Sequence, residues 1–223
     1  MALTTPLSDW IDLSPELSNL PGLGKGRLEA LTDGIFATVM TVLVLSLSVP
    51  VVTSSGSGSQ LSAEVFPNIE SNLLGYVLSF LLLAVLWTSH HNVFHYITRV
   101  DRPLLWLNTI FLLTIGFIPF STSLIGRYPL VQVPVVIYGT NIVATGLSML
   151  AILSYSASGK LMIVPEHEEV IMGRIRTRWR QGTLLYFGAI LLSFLSPAAS
   201  FAVYVGTLTF MILQSTFGFR RRH

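Results

Sequence analysis

Long apolar stretches separated by short polar segments occupy most of the chain, and they predict helices that span a membrane. A spanning helix needs about 20 mostly apolar residues. Four stretches reach that length, namely residues 28–49, 73–94, 104–124 and 130–155. A fifth, residues 183–213, accommodates two spans if it breaks at Ser196-Pro197, because proline removes a helical hydrogen bond. The pattern predicts an all-α protein with six spans, and five spans are the alternative.

The composition agrees with a membrane protein. Of the 223 residues, 52% are hydrophobic and 11% are charged, and the mean hydropathy is +0.68. A soluble domain carries about 25% charged residues. The chain has no cysteine, which excludes disulfides and thiolate metal sites. The net charge of +2 is too small to indicate nucleic acid as a partner.

The lysines and arginines predict the orientation of the spans. With six spans, Arg127 lies on one side of the membrane and every other basic residue lies opposite. The residues on the basic side are Lys25, Arg27, Arg99, Arg102, Lys160, Arg174, Arg176, Arg178, Arg180, Arg220, Arg221 and Arg222. The positive-inside rule then predicts a multi-pass protein of the cell membrane with both termini in the cytoplasm. Five spans would put the C-terminal arginines outside, so the rule favours six.

The expected organisation is a cytoplasmic tail (1–26), a six-helix transmembrane domain (27–219) and a basic cytoplasmic C-terminus (220–223). Two connections are expected to be irregular. Residues 61–69 follow a serine- and glycine-rich linker and predict an outer loop with a short turn. Residues 156–181 carry arginine at every second position from 174 to 180, a period that is not helical. They predict a cytoplasmic loop that contacts lipid headgroups.

The first span carries a stripe of small and hydroxyl residues. Gly34, Thr38, Thr41 and Leu45 recur at i, i+4, i+7 and i+11, and Val42 flanks them. Small residues often serve close helix packing in membranes. The alternative is a pore lined by symmetric copies of this helix, with threonine hydroxyls replacing part of an ion's water shell and Leu45 as an apolar constriction. Periodicity alone does not decide between packing and a pore.

A charged cluster opens the same span, and an acid near the membrane interior usually marks a partner or an ion pathway. Its acid Asp33 lies about 100° from the stripe on a helix, so it is expected to face a neighbouring span. In a low dielectric it needs hydrogen-bond donors. His90 and Asn108 are the expected donors.

The segment Arg27-x-x-x-Leu31-Thr32-Asp33 resembles the Arg-x-x-x-Phe-Ser-Asp motif of the lysosomal potassium channel family, transmembrane protein 175, and especially its single-repeat bacterial members. Later segments resemble that family's second and third helices in the same order. They are Trp87-x-x-His90-His91-x-x-Phe94, Arg99-Val-Asp101, Leu105-Trp106-Leu107-Asn108 and Pro119-Phe120-Ser121-Thr122. The resemblance covers about residues 24 to 215.

The resemblance implies a homotetrameric, potassium-permeable channel with six helices per subunit and a pore lined by the first helix. It implies no carbonyl-type selectivity filter and no cofactor, with potassium and other monovalent cations as permeant ions and membrane lipid as surroundings. In the family, an apolar side chain about five residues after the acid forms the narrowest ring, and a threonine one turn further favours potassium. Here Thr38 replaces the apolar residue and Thr41 matches the threonine. The constriction is then expected at Thr38, Val42 or Leu45, or the pore is less selective.

The resemblance also implies a buried network that ties the first three helices together. Its expected members are Arg27, Thr32, Asp33, Trp87, His90 and Asn108.

Two other functions compete with a channel. A proton-coupled secondary transporter would use Asp33 and His90, but such proteins usually show repeats and broken helices, and the sequence predicts neither. An enzyme is not expected, since no nucleophile has a convincing partner. His91 and His95 have the i, i+4 spacing of zinc ligands, yet no cysteine or intervening glutamate supports a metal site. Potassium selectivity, the gating stimulus and the physiological role stay open.

Overall fold

The computed structural model describes residues 24–45, 47, 58–159, 161–165 and 168–219, and it describes the side chains of these residues except 58–72 and 214–219. This part of the chain is helical apart from short connections, which confirms the all-α class. Its helices are α1 (Lys25–Leu45), α2 (Gly58–Tyr96), α3 (Arg102–Gly116), α4 (Ile118–Arg127), α5 (Gln132–Ser158), α6 (Glu169–Ser193) and α7 (Pro197–Phe219).

Helices α3 and α4 form one kinked span. Phe117 joins them with helical backbone angles, φ −83° and ψ −12°, and its N–H donates to the Leu113 carbonyl at 3.2 Å. Pro119 lies in the first turn of α4 and has no N–H to continue the ladder, which is a common cause of helix kinks. The backbone nevertheless remains helical at Phe117, and Arg102–Arg127 forms one span.

Within the residues that the structure describes, four units are long and apolar enough to cross a membrane: Lys25–Leu45, Leu73–Tyr96, Arg102–Arg127 and Gln132–Ser158. They correspond to the first four predicted stretches. The fifth stretch breaks where proline predicts, because α6 ends at Ser193 and α7 begins at Pro197. The apolar helix Pro197–Leu213 is shorter. The chain is a multi-pass membrane protein, and the count of six spans stays a prediction.

Two connections differ from the sequence prediction. Residues 61–69, expected as an outer loop, belong to α2. The alternating arginines, expected in a cytoplasmic loop, lie in α6, which begins at Glu169. Arginine is a good helix former, and its long side chain reaches water from most positions on a helix. A helix at the edge of the apolar region therefore does not need a one-sided pattern of charges.

The connections at one end of the bundle are tied together. The Ile97 backbone pairs with Met162, and the Tyr155 hydroxyl donates to Asp101 Oδ2 at 2.6 Å. Asp101 also caps α3 by accepting from the Leu104 N–H at 2.9 Å, and Tyr96 donates to Glu168 Oε2 at 2.6 Å. These contacts join the α2–α3 and α5–α6 connections, so the arginines beside them share one end of the bundle. Which side of the membrane that end faces stays a prediction.

Candidate ion pathway and its supporting network

Helix α1 has one buried face and one exposed face. Its buried residues recur at helical spacing and are Leu28, Thr32, Phe36, Val39 and Leu43. At 100° per residue this buried stripe is centred about 150° from the stripe of small and hydroxyl residues. Only 28% of α1's most apolar stretch is buried, against 56% for α5. A single subunit therefore covers one side of α1 and leaves the opposite side open.

All five predicted pore-lining residues lie on the exposed side of α1: Gly34, Thr38, Thr41, Val42 and Leu45. Leu45 is the most open, with 80% of its surface exposed. A methyl group added at Gly34 would meet no atom within 4 Å. The subunit's own helices therefore do not pack against this stripe.

The two threonines of the stripe use their hydroxyl protons within the helix. Thr38 donates to the Gly34 carbonyl at 2.8 Å, and Thr41 donates to the Thr38 carbonyl at 2.7 Å. A hydroxyl has one proton and two lone pairs. Because each proton is engaged by the backbone, the remaining lone pairs point away from the helix and can accept a water proton or contact a cation.

The predicted network separates into an inner and an outer branch, and the inner branch is buried. Asn108 Nδ2 donates to Thr32 Oγ1 at 3.1 Å, and Thr32 donates to the Leu28 carbonyl at 2.9 Å. Asn108 Oδ1 is paired with His90 Nε2 at 2.8 Å. An amide oxygen only accepts, so this pairing assigns the proton to Nε2. The chain of hydrogen bonds links α2, α3 and α1 in that order.

Aromatic rings enclose the inner branch. The His90 ring stacks on Phe94 with 4.1 Å between centroids and on Phe111 with 5.2 Å. Phe36 of α1 approaches Phe111 with 6.2 Å between ring centroids. His90 is 2% exposed and Asn108 is fully buried. Buried polar groups are costly unless they are paired, so the branch specifies how α1 docks onto α2 and α3.

The outer branch joins α1 to α2 at the edge of the exposed face. The Trp87 indole N–H donates to Asp33 Oδ1 at 2.8 Å, and both residues are exposed in the single subunit. Among the described residues the donor to Asp33 is Trp87, whereas the sequence led us to expect His90 and Asn108. One turn of α2 separates Trp87 from His90, so Thr32 and Asp33 each reach a different polar partner.

Three further candidate residues, Arg27, His91 and His95, are exposed in the single subunit. Arg27 lies in the first turn of α1. His91 stacks on Trp87 with 5.7 Å between centroids, and His95 lies edge-on to Tyr96. In the part of the chain that the structure describes, no three histidine or acidic side chains come together as a metal site would need.

Sequence reasoning missed a series of hydroxyl and amide contacts inside the subunit. The Thr145 hydroxyl lies 3.0 Å from that of Thr114, Thr122 donates to Ser79 at 2.8 Å, and Asn141 donates to Ser121 at 3.3 Å. These pairs join α2, α3, α4 and α5. Their only sequence signal is the presence of hydroxyl and amide residues within apolar stretches, and this signal does not say which side chains meet.

Comparison with known proteins finds similarity to one family of ion channels. A family model described as the endosomal/lysosomal potassium channel TMEM175 matches residues 27–119, which contain most of α1, the inner and outer branches and the kink at Phe117. Over these residues the chain is similar to the TMEM175 family. This match confirms the resemblance of the motifs from Arg27 to Pro119.

Bacterial relatives match over most of their length. A protein named as a potassium channel in Streptomyces collinus is 29% identical over 81% of this chain and 87% of its own length. Another, named as a potassium channel in Chamaesiphon minutus, is 29% identical over 85% of this chain and 94% of its own length. The human relative is named an endosomal/lysosomal proton channel, and it is 22% identical over 87% of this chain but only 39% of its own length.

Solved structures agree with the similarity to TMEM175. The crystal structure of a lysosomal potassium-selective channel TMEM175 homolog from Chamaesiphon minutus has a TM-score of 0.72 and 26% sequence identity, covering 86% of this chain and 97% of that one. The potassium channel MtTMEM175, with a TM-score of 0.57 and 17% identity, shows a similar fold. The family and the homologues are ion channels and not enzymes, which confirms that expectation.

Proposed function

We propose that this chain is a potassium-permeable channel of the TMEM175 family in which four copies of α1 surround a central pore. Ions pass along the stripe formed by Gly34, Thr38, Thr41, Val42 and Leu45, without a filter of backbone carbonyls. Permeation is passive, and the subunit uses no cofactor. The observation that carries the proposal is the exposed stripe of small and hydroxyl residues on a helix whose other face is buried.

The chemistry of the exposed α1 face supports an axial position over a lipid-facing one. The exposed residues of α3 and α4 are mostly large and apolar, as expected next to lipid tails; they include Trp106, Ile110, Leu113, Phe117 and Phe120. The α1 face also exposes Val42 and Leu45, but it adds a glycine, two threonines and, at its edge, the carboxylate of Asp33. Hydroxyl and acidic groups are unfavourable in hydrocarbon and favour a water-filled path. The two exposed surfaces of the subunit therefore suit different surroundings.

The threonines suit cations better than anions. Their hydroxyl protons are donated to the Gly34 and Thr38 carbonyls, so four symmetric copies would present rings of oxygen lone pairs. Oxygen rings can replace part of a potassium ion's hydration shell. We propose Thr41, with Thr38, as the selective positions. Below them Leu45 and Val42 form the apolar constriction, which gates by excluding water.

A proton-coupled transporter based on Asp33 and His90 receives less support. His90 is enclosed by Phe94 and Phe111 and pairs with a neutral amide, while Asp33 pairs with Trp87 in the separate outer branch. A relay would need both groups to exchange protons with water in turn. The kink at Phe117 retains helical backbone angles, whereas transporter sites usually use unwound segments.

Cysteine scanning tests the pore proposal directly, because the natural chain contains no cysteine. Thr41→Cys would be introduced into the full chain and reconstituted in planar bilayers, and a positively charged, water-soluble methanethiosulfonate would be added. A cysteine in the pore forms a bulky cationic adduct, so the current is expected to fall to a small fraction of its initial value. The reversal potential in a potassium gradient is recorded before the reagent is added.

Thr109→Cys provides a matched control. Thr109 is also exposed on a helix and also donates to a carbonyl one turn before it, that of Leu105 at 2.9 Å, but it belongs to the bulky apolar face of α3. Its modification is expected to leave the current unchanged. A Thr41→Cys current that persists after mass spectrometry shows full modification would contradict the pore proposal.

The human relative is named a proton channel, so the proton is the main alternative to potassium as the permeant ion. Separate gradients of potassium and of pH across the same bilayer distinguish the two permeant ions. The reversal potential is expected to follow the potassium gradient. A reversal potential that follows only the pH gradient would leave α1 as the pore but would overturn potassium as its ion.

A further inference from the structure

A second polar site lies between α2, α6 and α7, away from α1. Its centre is Arg178, which is partly buried, and its guanidinium Nη2 donates to the Met211 carbonyl of α7 at 3.1 Å. Ser89 and Asn92, one turn apart on α2, line a cavity of about 30 Å³ beside it. The buried Trp179 forms another part of the wall.

The charge of Arg178 is incompletely matched in this site. A guanidinium carries five N–H donors, and within the described residues Arg178 makes one hydrogen bond and pairs with no carboxylate. Removing a charge from water is costly unless an opposite charge accompanies it. The cavity has room for about one oxygen atom, and the exposed Asn92 places it at the surface. We propose that Arg178, Ser89 and Asn92 bind the phosphate group of an anionic membrane lipid.

The position of Arg178 along α6 argues for a lipid. It lies in the last turn of the arginine-bearing half of the helix, immediately before the uncharged segment 181–193. Arg174 lies one turn before it on the same face, and Leu185, which is exposed, lies two turns beyond it in line. A phosphate at Arg178 would thus have a second cation on its headgroup side and an apolar surface for an acyl chain on the other.

The geometry favours arginine over a general basic surface. A guanidinium contacts two phosphate oxygens at once through its planar fork, and here its Met211 contact restrains its orientation. Basic pockets between transmembrane helices are a recognised setting for anionic lipid headgroups. This site is independent of the pore and does not rest on α1.

Native mass spectrometry of the full chain, released from detergent and titrated with phosphatidylglycerol, tests the proposal. Arg178→Gln is expected to weaken binding about tenfold, which corresponds to the loss of about 1.4 kcal/mol. Arg176→Gln removes the same charge from the opposite side of α6 and is expected to bind as the natural chain does. Equal binding by Arg178→Gln and the natural chain, or equal losses in both variants, would overturn the site.

Two further measurements identify the ligand and separate a loss of binding from a folding defect. Millimolar inorganic phosphate is expected not to displace phosphatidylglycerol, and displacement would overturn the lipid as ligand. Arg178→Lys keeps the charge without the fork and is expected to bind several-fold more weakly while eluting as folded protein. If Arg178→Gln does not fold, binding by Arg178→Lys equal to that of the natural chain would overturn the proposal.

Discussion

Glycine and threonine occur at helical spacing in both α1 and α5, yet the two helices use them in opposite ways. In α5, a methyl group added at Gly139 would collide with the Tyr204 hydroxyl and with Ile190, and one added at Gly146 would collide with Thr183. In α1, a methyl group at Gly34 would meet nothing. Small residues in α5 therefore permit close approach of α6 and α7, whereas those in α1 leave an open surface.

The threonines repeat the contrast. Thr145 of α5 is buried, and besides donating to the Asn141 carbonyl at 2.9 Å it lies 3.0 Å from the Thr114 hydroxyl of α3. Thr38 and Thr41 also donate to their own helix, but their oxygens face outward. Packing explains the small residues of α5 completely. It does not explain those of α1 within one subunit, which is why an assembled pore is the better account.

The largest effect is expected from a substitution in the inner branch, which holds the buried face of α1 against α2 and α3. His90→Ala takes away a ring stacked on Phe94 and Phe111 and leaves the Asn108 oxygen without its donor. Truncating a buried aromatic side chain costs about 3 kcal/mol or more, and an orphaned buried acceptor adds to this. We expect a marked fall in thermal stability and loss of the proposed tetramer on size-exclusion chromatography. His91→Ala, on the exposed side, serves as control, and a stable His90→Ala tetramer with normal current would contradict this role.

The next effect compares the two glycines directly. Gly139→Ala is expected to destabilise the protein by about 1–3 kcal/mol, the usual cost of overpacking, since Tyr204 is held by its hydrogen bond to the Val135 carbonyl at 3.0 Å. Gly34→Ala is expected to leave stability unchanged or slightly higher, because alanine favours helices, while altering conductance. Thermal unfolding in detergent measures both variants. Equal destabilisation would show that the environments do not differ as described.

A smaller effect concerns the unusual residue of the exposed stripe. Thr38→Leu restores an apolar side chain where Thr38 departs from the family pattern. If a new apolar ring adds about 1.4 kcal/mol to the barrier for ions, single-channel conductance falls about tenfold. Because Thr38 is exposed in the subunit, stability should not change. Unaltered conductance in planar bilayers would place Thr38 away from the narrow part of the pathway.

The smallest effect concerns selectivity. Thr41→Ala removes a hydroxyl that faces the proposed pore, and we expect the potassium-to-sodium permeability ratio to fall a few-fold at unchanged stability. Thr145→Ala removes a buried hydroxyl instead and should cost about 0.6 kcal/mol of stability, the mean for polar contacts between membrane helices, with an unchanged ratio. Reversal potentials under bi-ionic conditions provide the measurement. A ratio unaffected by Thr41→Ala would exclude the hydroxyl ring as a selective element.

The sequence alone predicted the features that depend on transfer from water to the membrane and on hydrogen bonds between neighbouring residues. Apolar length determined that the chain crosses a membrane, proline placed the break before Pro197, and the order of motifs from Arg27 to Thr122 indicated the TMEM175 family. Each of these follows from a few neighbouring residues. The helical conformation of the α6 arginines was missed because their charge pattern was read as irregular, although arginine's own helix propensity favours a helix.

Tertiary structure decided which residues meet and which face remains open. Thr32 and Asp33 are adjacent, yet one reaches Asn108 and the other Trp87, because a 100° turn directs them to different sides of the same junction. Likewise, Gly34 and Gly139 are the same residue in similar apolar helices, and only their neighbours distinguish an open surface from a close contact. Helical periodicity defines faces, but it does not say what covers them; that depends on contacts between residues far apart in the chain.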